Sequence, residues 1–414
     1  MLLWFLPSLV TAPLPSFFNE GLIEEGATRE QLIQSYFYQG YTYAHILACL
    51  AVNHAVKLSL KTLKRILKRL GLMRRTPFTE GVATSAVTAI VQELEQSGQC
   101  IGYRAMHRRL QNQGIVIGKN NVCKLMQEID ARGVKRRIHQ RLKRRQYVNP
   151  GPNFAWHIDG YDKLKPYGFA IHGAIDGFSR RILWLEVGTS NNDPNIVLNH
   201  YVDTCIQLGA IPCVVRSDHG TENVLVEELH KALRANFNDE YAADNSFLKG
   251  KSSANQRIER WWGILRVQCA NFWINLFKDM ISIGLLDNGN QFHIHTLRFC
   301  FMDLIEKDIY RVAIEWNQHT IQARKASEGP KGKPNIMYFT PELYGATNSS
   351  FPVRKVDLMS VKHALETANC LPVQQDPDFI ALVTELVPNW KVPENVNAAL
   401  DLYGDIIQQL QTVL

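Results

Sequence analysis

The stretch NFAWHIDGYDKLKPYGFAIHGAIDGFSRRILWLEVG, residues 153–188, contains three short runs that are rich in aliphatic and aromatic residues. The runs end at Gly, Asp or Ser, which is typical of β-strands separated by turns. A fourth run, CVVRSDHG at 213–220, follows the helical pattern NDPNIVLNHYVDTCIQLG at 192–209. Three strands, a helix, a fourth strand and further helices predict an α/β or α+β layer fold.

Three acidic residues are candidate metal ligands. Asp159 lies in the first strand-like run, Asp218 follows the fourth, and Glu259 lies early in a predicted helix that begins near Gln256. A carboxylate beside an apolar strand needs a charge partner or a metal ion to offset its burial. Oxygen ligands of this kind suit Mg²⁺ or Mn²⁺. Two such ions about 4 Å apart can support in-line displacement at a phosphodiester.

The exact strings carry more information than the spacing. WHIDGY, AIDGFSRRILWLEV, RSDHGTEN and NQRIERWW resemble the catalytic domains of retroviral-type integrases and transposases, in particular the eukaryotic group derived from mobile elements. The resemblance is strong over residues 150–275 and continues through WNQHTIQAR and KPNIMYFTPELYG. It implies an α/β, ribonuclease-H-like integrase core with a mixed five-stranded sheet and flanking helices. It also implies a D-D-E triad of Asp159, Asp218 and Glu259 that binds two Mg²⁺ or Mn²⁺ ions.

Two features depart from that family pattern. His219 stands where Asn is commoner, and forty residues separate Asp218 from Glu259, more than in retroviral enzymes. We attribute the extra length to a longer loop around AADNSFLKGKSSA. Neither departure removes a ligand of the implied triad.

Other acidic residues near the triad have alternative roles. Asp176 also ends an apolar run, and we expect it to cap the turn before Phe178 rather than to bind metal. Asp162 is expected in a hairpin turn. Glu222 and Asn223 could orient metal-bound water or simply cap a helix.

The N-terminal part of the chain predicts helices and DNA binding. In SLKTLKRILKRLGL, Ser59 is the predicted N-cap and Gly71 the stop, with leucines and Ile66 on one face. A helix pair with a basic last helix is the helix-turn-helix pattern. An ordinary amphipathic helix remains the alternative. The predicted DNA contacts on the other face are Lys61, Lys64, Arg65 and Lys68.

A second helical segment follows. Its GYRAMHRRL and KNNVCKLM strings resemble the second helix-turn-helix of insertion-sequence transposases. Eight Lys or Arg and no acid lie within residues 57–75, and eight more within 132–145, whereas six acids accompany a single lysine from Leu371 onward. This asymmetry predicts separate modules with a basic N-terminal half.

Further DNA contacts are expected beside the triad. Arg266 follows Glu259 by seven residues and should share its helix face, so we predict that it contacts a phosphate. Lys249 and Lys251, on a flexible loop before that helix, are further candidates. Trp261 and Trp262 are expected to pack in the core rather than to stack on bases.

Several other classes of function are disfavoured. Neither His45, Cys49 and His54 nor His293, His295 and Cys300 have zinc-site spacing. The sequence contains no GxxxxGK[ST] or GxSxG motif. The opening MLLWFLPSLVTAPLP is too short to span a bilayer, so we expect a loose N-terminus and no membrane association. Scattered cysteines without a CxxC pair favour reduced thiols, in the nucleus or the cytosol. For a DNA-binding protein we expect the nucleus.

The predicted organisation has seven parts: 1–26 a loose N-terminus, 27–75 a helix-turn-helix unit, 80–133 a second helical unit, 134–150 a basic linker, 151–280 the catalytic core, 281–345 a helical extension and loop, and 346–414 an acidic helical region. The implied reaction is DNA cutting and joining, by water and then a 3′-hydroxyl, in at least a dimer. The alternatives are a catalytically silent DNA-binding protein derived from a mobile element, and a plain metal-dependent nuclease.

Overall fold

The structure is a computed structural model that describes residues 27–74, 78–96, 98, 101–131, 134, 149–251, 254–322, 329–368 and 376–413. The chain divides into two compact units between Leu72 and Met73. The predicted loose N-terminus and nearly all of the predicted basic linker lie outside the described residues.

The described part of the first unit is helical: α1 (Arg29–Tyr38), α2 (Tyr43–His54) and α3 (Leu60–Arg69). Thr28 and Gln31 form a capping box at the start of α1. The Ser59 side chain caps α3, as the sequence predicts. Leucines and isoleucines from all three helices form the core. The apolar face of α3 is therefore buried, and its basic face is left in solvent.

The second unit has the remaining elements. Its helices are α4 (Glu80–Leu94), α5 (Tyr103–Asn112), α6 (Lys119–Ile129), α7 (Pro194–Leu208), α8 (Val224–Arg234), α9 (Gln256–Leu265), α10 (Asn271–Ser282), α11 (Gln291–Gln318), α12 (Pro334–Phe339), α13 (Lys355–Thr367), α14 (Pro377–Leu386) and α15 (Val396–Val413). Its strands are β1 (Ala155–Tyr161), β2 (Ala170–Asp176), β3 (Ile182–Gly188), β4 (Ala210–Ile211), β5 (Val214–Ser217), β6 (Phe247–Lys249) and β7 (Phe351–Pro352).

The main sheet is mixed and five-stranded, in the order β3-β2-β1-β5-β6. β1, β2 and β3 pair antiparallel, whereas β5 pairs parallel with β1 and β6 parallel with β5. Strands β1 and β2 are buried almost throughout, because helices cover the sheet. This confirms the predicted mixed sheet with flanking helices, as in a ribonuclease-H-like fold. The short pair β4–β7 forms a separate small sheet.

The fifth strand corrects one expectation. Phe247–Lys249, predicted to be part of a flexible loop, is instead the edge strand β6 beside β5. A strand of three residues has too little alternation to stand out from a loop in sequence. The loop assignment was therefore wrong for these residues.

Helices α9 and α10 form one continuous helical run, interrupted by a π-helical turn at Arg266–Ala270. Helix α11, which the sequence assigns to an extension, packs against β3 at the edge of the main sheet. None of the described helices has the length and apolar character needed to cross a membrane.

Helices α4, α5 and α6 form a small bundle around Ile90, Met106, Leu110, Val122 and Met126, which we call the α4–α6 bundle. It lies in the same compact unit as the sheet. The sequence instead predicts a separate unit for these helices. The ion pairs that tie them to α11 join residues far apart in the chain, so no local sequence pattern indicates them.

Candidate active site

Asp159 lies on β1, the middle strand of the main sheet, and is 8% exposed. Its Oδ2 accepts a hydrogen bond from the indole Nε1–H of Trp262 at 2.8 Å. A donor of this kind stabilises the charged form of a carboxylate and fixes its orientation. Trp262 follows Glu259 by three residues on α9, so this bond ties the strand to the Glu259 helix.

A glycine makes room for that contact. Gly173 on β2 lies directly opposite Asp159 in the β1–β2 register. A Cβ at this position would lie 3.0 Å from the Trp262 ring and 3.1 Å from the Leu185 side chain. The absence of a side chain therefore allows the indole to reach across β2 to the carboxylate.

Asp218 follows β5, which is the parallel neighbour of β1. Its Oδ1 accepts a hydrogen bond from the backbone N–H of Gly220 at 3.0 Å, an Asx-type turn. A Cβ at Gly220 would overlap the carboxyl group of Glu222. Glycine at this position therefore lets the Glu222 carboxyl fold back beside Asp218.

For Glu222 and Asn223 the sequence left two roles open, orienting metal-bound water or capping a helix. Asn223 precedes α8 but makes no side-chain cap hydrogen bond. Its Nδ2 instead donates to Glu222 Oε1 at 3.0 Å. Burial, followed by the charges of Asp218 and Asp162, raises the pKa of Glu222.

Glu259 lies in the first turn of α9, and Asn255 fixes the start of that helix on β1. The Asn255 Nδ2 donates to the backbone carbonyl of Ile158 at 2.9 Å, and its Oδ1 lies 2.7 Å from His157 Nδ1. Because the amide already donates to Ile158, His157 is the donor in the second bond. Burial lowers the pKa of His157 to about 3, so the imidazole is neutral at pH 7.

The charges of neighbouring triad carboxylates act on Asp159 and on Glu259. Burial raises the pKa of Asp159 to about 7, the Trp262 hydrogen bond lowers it, and the charges of Glu259 and Asp218 raise it further. Burial and the charge of Asp218 also raise the pKa of Glu259, while Lys163 lowers it. Like charges brought together in this way are stabilised by a cation.

The donor chemistry at this position suits a divalent cation of the Mg²⁺ type. Among the residues that the structure describes, no group of three or more His, Cys, Asp or Glu side chains is arranged closely enough to hold a metal ion. Asp159, Asp218 and Glu259 thus do not form a ready coordination sphere in this arrangement. Glu259 is exposed, so its side chain has room to rotate toward the two aspartates.

Residues 146–340 match the family model of the integrase core domain. This segment is an integrase core domain. Such domains are of the polynucleotidyl-transferase type, a class that is generally enzymatic, generally uses divalent metals and binds DNA. No curated protein matches the chain.

Within the integrase core domain, Asp176 has a structural role. Its carboxylate accepts hydrogen bonds from the backbone N–H of Asn153 and from the N–H and hydroxyl of Ser179, at 2.6 to 2.7 Å. It caps the turn after β2, as expected. Asp162, after β1, accepts a hydrogen bond from Asn191 Nδ2 at 2.8 Å.

The DNA-contact candidates in the integrase core domain have different surroundings. Arg266 is exposed at the start of the π-helical turn, where its Nε donates to Asn271 Oδ1 at 3.2 Å. Burial raises the pKa of Tyr161, two residues after Asp159, and the charge of Arg266 lowers it. Lys249 is on β6 and forms an ion pair with Glu227, whereas Lys251 is exposed. Contact with DNA stays a prediction for all three.

The four candidates on α3 belong to the first compact unit. Lys61, Lys64, Arg65 and Lys68 are all exposed, on the face opposite buried Leu63 and Leu67. That surface is available to an anionic partner, and DNA binding there also stays a prediction.

The sequence missed the residues that hold the triad in place. Asn255 and His157 lie inside the strings quoted above, but Gly173 is distant in sequence from every acid of the triad. Their roles depend on cross-chain contacts. One feature of the sequence could have indicated Asn255 and His157. Both are polar residues next to apolar segments, and a polar side chain that is buried there needs a hydrogen-bond partner. Both tryptophans are buried as predicted, and only Trp262 also reaches a catalytic candidate.

Proposed function

We propose that this protein cuts and joins DNA phosphodiesters at a site formed by Asp159, Asp218 and Glu259. The observation that carries the proposal is the Trp262–Asp159 hydrogen bond, which ties the Glu259 helix to β1, the strand beside the one that ends before Asp218. Acids held together in this way, in an integrase core domain, are suited to binding divalent cations.

In this proposal the chain itself supplies position and charge. Trp262 orients Asp159, the Gly220 turn orients Asp218, and Asn255 sets where the Glu259 helix begins. Arg266 contacts a phosphate of the bound strand. Divalent cations held by the three carboxylates would provide Lewis-acid stabilisation of the phosphodiester and a more acidic attacking water.

The partners and location follow from the same proposal. Joining two DNA ends requires two active sites in one assembly, so we propose at least a homodimer. We also propose a nuclear location, because the proposed substrate is DNA.

The first test is Mn²⁺ binding to the full chain by titration calorimetry. We expect binding by the wild-type protein and its loss in Asp218→Asn. Asp162→Asn is the matched control, because Asp162 is a nearby exposed carboxylate outside the triad. Equal binding by wild type and Asp218→Asn would contradict the proposed site.

The second test separates the candidate activities. With Mn²⁺ and labelled duplex DNA, an integrase-type enzyme gives joined products, and a plain nuclease gives only cleaved ones. DNA binding without either product would favour a silent DNA-binding protein. The silent DNA-binding protein stays a candidate because the described residues do not form a ready metal coordination sphere.

A further inference from the structure

Asn191 is a buried amide in the loop that joins β3 to α7. Its side chain is 4% exposed, whereas the next residue, Asn192, is exposed. A polar side chain that is buried in this way needs hydrogen-bond partners. The contacts of Asn191 therefore show to which parts of the fold this loop is fixed.

The amide of Asn191 bonds three separate segments of the chain. Its Nδ2 donates to Oδ1 of Asp162, which follows β1, at 2.8 Å, and to the backbone carbonyl of Ile171 on β2 at 3.0 Å. An amide nitrogen carries two N–H groups, so both are used. Lys165, in the loop between β1 and β2, donates to Asn191 Oδ1 at 3.5 Å.

A glycine of β1 leaves space for this amide. Gly160 follows Asp159, and a Cβ at Gly160 would lie only 2.8 Å from Asn191 Nδ2. This distance is well below van der Waals contact, so a side chain at this position would displace the amide. Successive side chains of a strand point to opposite faces of the sheet. Asn191 therefore contacts β1 on the face opposite to the Asp159 carboxylate.

The part of β1 that carries Asp159 is thus held from two sides. On the side of α9, the Trp262 indole donates to the Asp159 carboxylate, and Asn255 donates to the carbonyl of the residue before it. On the other side, the Asn191 amide lies against Gly160, the residue after it. A shift of the strand away from α9 would require the Asn191 amide to move.

Hydrogen bonds alone would make Asn191 an ordinary anchor of its loop. Contact with Gly160 adds a second consequence, because the backbone of Gly160 is bonded directly to that of Asp159. The position of the Asn191 amide therefore limits where the Asp159 carboxylate can lie relative to the Trp262 indole.

We propose that Asn191 is a positioning residue for Asp159, acting through Gly160 from the face of the sheet opposite to α9. The inference rests on the proposed function only in that Asp159 is taken as a metal ligand. Residues that orient a metal ligand without touching the metal typically change metal affinity by about tenfold or more when they are removed.

The test follows the Trp262 indole N–H in a proton–nitrogen NMR spectrum of the full chain with isotope-labelled tryptophan. The signal is assigned by its absence from Trp262→Phe. In Asn191→Ala we expect this signal to shift and its exchange with solvent to become faster, because the bond to Asp159 is weakened. Mn²⁺ affinity, measured by calorimetry, should fall by about tenfold.

The matched control is Asn192→Ala. Asn192 lies in the same loop but is exposed, and its Oδ1 accepts a hydrogen bond from Lys165 at 2.8 Å. Its removal should leave both the Trp262 signal and Mn²⁺ affinity unchanged. A loss of loop anchoring by itself would affect the two asparagine variants alike.

Gly160→Ala provides a second variant that keeps every polar group. The added methyl group presses on the Asn191 amide, so the Trp262 signal should again shift. Combined with Asn191→Ala, the methyl group meets no amide, and Gly160→Ala should then have no further effect. Additive effects would show that residue 160 acts on Asp159 without Asn191, which would overturn the proposal.

Melting temperatures establish that each variant is folded, and Gly160→Ala decides the question if Asn191→Ala does not fold. An unchanged Trp262 signal in the folded variants, or an equal shift in Asn192→Ala, would also overturn the proposal. The Trp262 signal is recorded without metal, so the result is separable from the proposed function. If the signal shifts but the wild-type protein binds no Mn²⁺, the positioning role stands and the proposed function fails.

Discussion

At the scale of single residues, the decisive contact is between Trp262 and Asp159. The indole N–H of Trp262 donates a hydrogen bond to the Asp159 carboxylate. Burial on its own favours the protonated form of that carboxylate. An acid with a pKa near 7 is partly protonated at neutral pH, and a protonated acid is a poor metal ligand. The hydrogen bond therefore favours the ionised form that the proposed chemistry needs.

Removing this donor should move the pH dependence of metal binding. In Trp262→Phe the ring is largely kept, but the pKa of Asp159 rises because the hydrogen bond that lowers it is gone. The pH midpoint of Mn²⁺ binding, measured by calorimetry between pH 6 and 8.5, should increase by about half a unit to one unit. The unfolding free energy should fall by about 1 kcal/mol.

The neighbouring tryptophan offers a matched control. Trp261 is also buried, but its indole nitrogen has no hydrogen-bond partner among the residues that the structure describes. Trp261→Phe should therefore leave the pH midpoint unchanged. A similar increase in both variants would show that ring packing, and not the bond to Asp159, sets the pKa.

At the scale of elements, α9 is positioned by its first residues. Asn255 stands at the N-cap but makes no capping bond, because its side chain bonds β1 instead. The Asn255 side chain thus forms hydrogen bonds to a distant strand in place of the usual cap bond within its own helix. This arrangement fixes the strand that carries Asp159 against the helix that carries Glu259.

Asn255→Ala should remove the hydrogen bonds that join Asn255 to the buried His157 ring and to the Ile158 carbonyl. We expect a loss of about 2 to 4 kcal/mol in unfolding free energy, measured by urea denaturation. The control is Asn290→Ala, because Asn290 is an exposed N-cap that bonds Phe292 N–H in the ordinary way. Its loss should cost about 1 kcal/mol. Equal costs would mean that Asn255 acts only as a cap.

At the scale of the whole molecule, a buried ionic network joins the α4–α6 bundle to the integrase core domain. Arg109 contacts Glu93 and Glu315, and Arg311 on α11 also pairs with Glu93 at 3.3 Å. Removing one partner from such a network leaves a buried charge uncompensated, at a cost of about 3 to 5 kcal/mol. The bundle is therefore integral to the second compact unit.

Truncation should follow these boundaries. A fragment of residues 73–414 should unfold cooperatively, at a melting temperature within a few degrees of the matching transition in the full chain. A fragment of residues 151–280, the core predicted from sequence, should not fold stably, because β3 loses α11 and Arg181 loses Asn335. Circular dichroism melts compare the three proteins. A cooperative melt of the short fragment would contradict this account.

The sequence by itself determined the long, regular features. The strands β1, β2, β3 and β5, the capped helices α1 and α3, and the burial of Trp261 and Trp262 all follow from local periodicity and capping residues. The acidic positions were also visible, because a carboxylate beside an apolar strand is unusual in any sequence. Such signals depend on residues within a few positions of one another.

The tertiary structure decided what joins these features. Strand β6 exists because β5 offers an edge, and Lys249 consequently lies on a strand rather than on a loop. The bond from Trp262 to Asp159 spans 103 residues, and that from Arg109 to Gln268 spans 159. No local pattern encodes such pairings, because they depend on how the sheet, α9 and the α4–α6 bundle pack together.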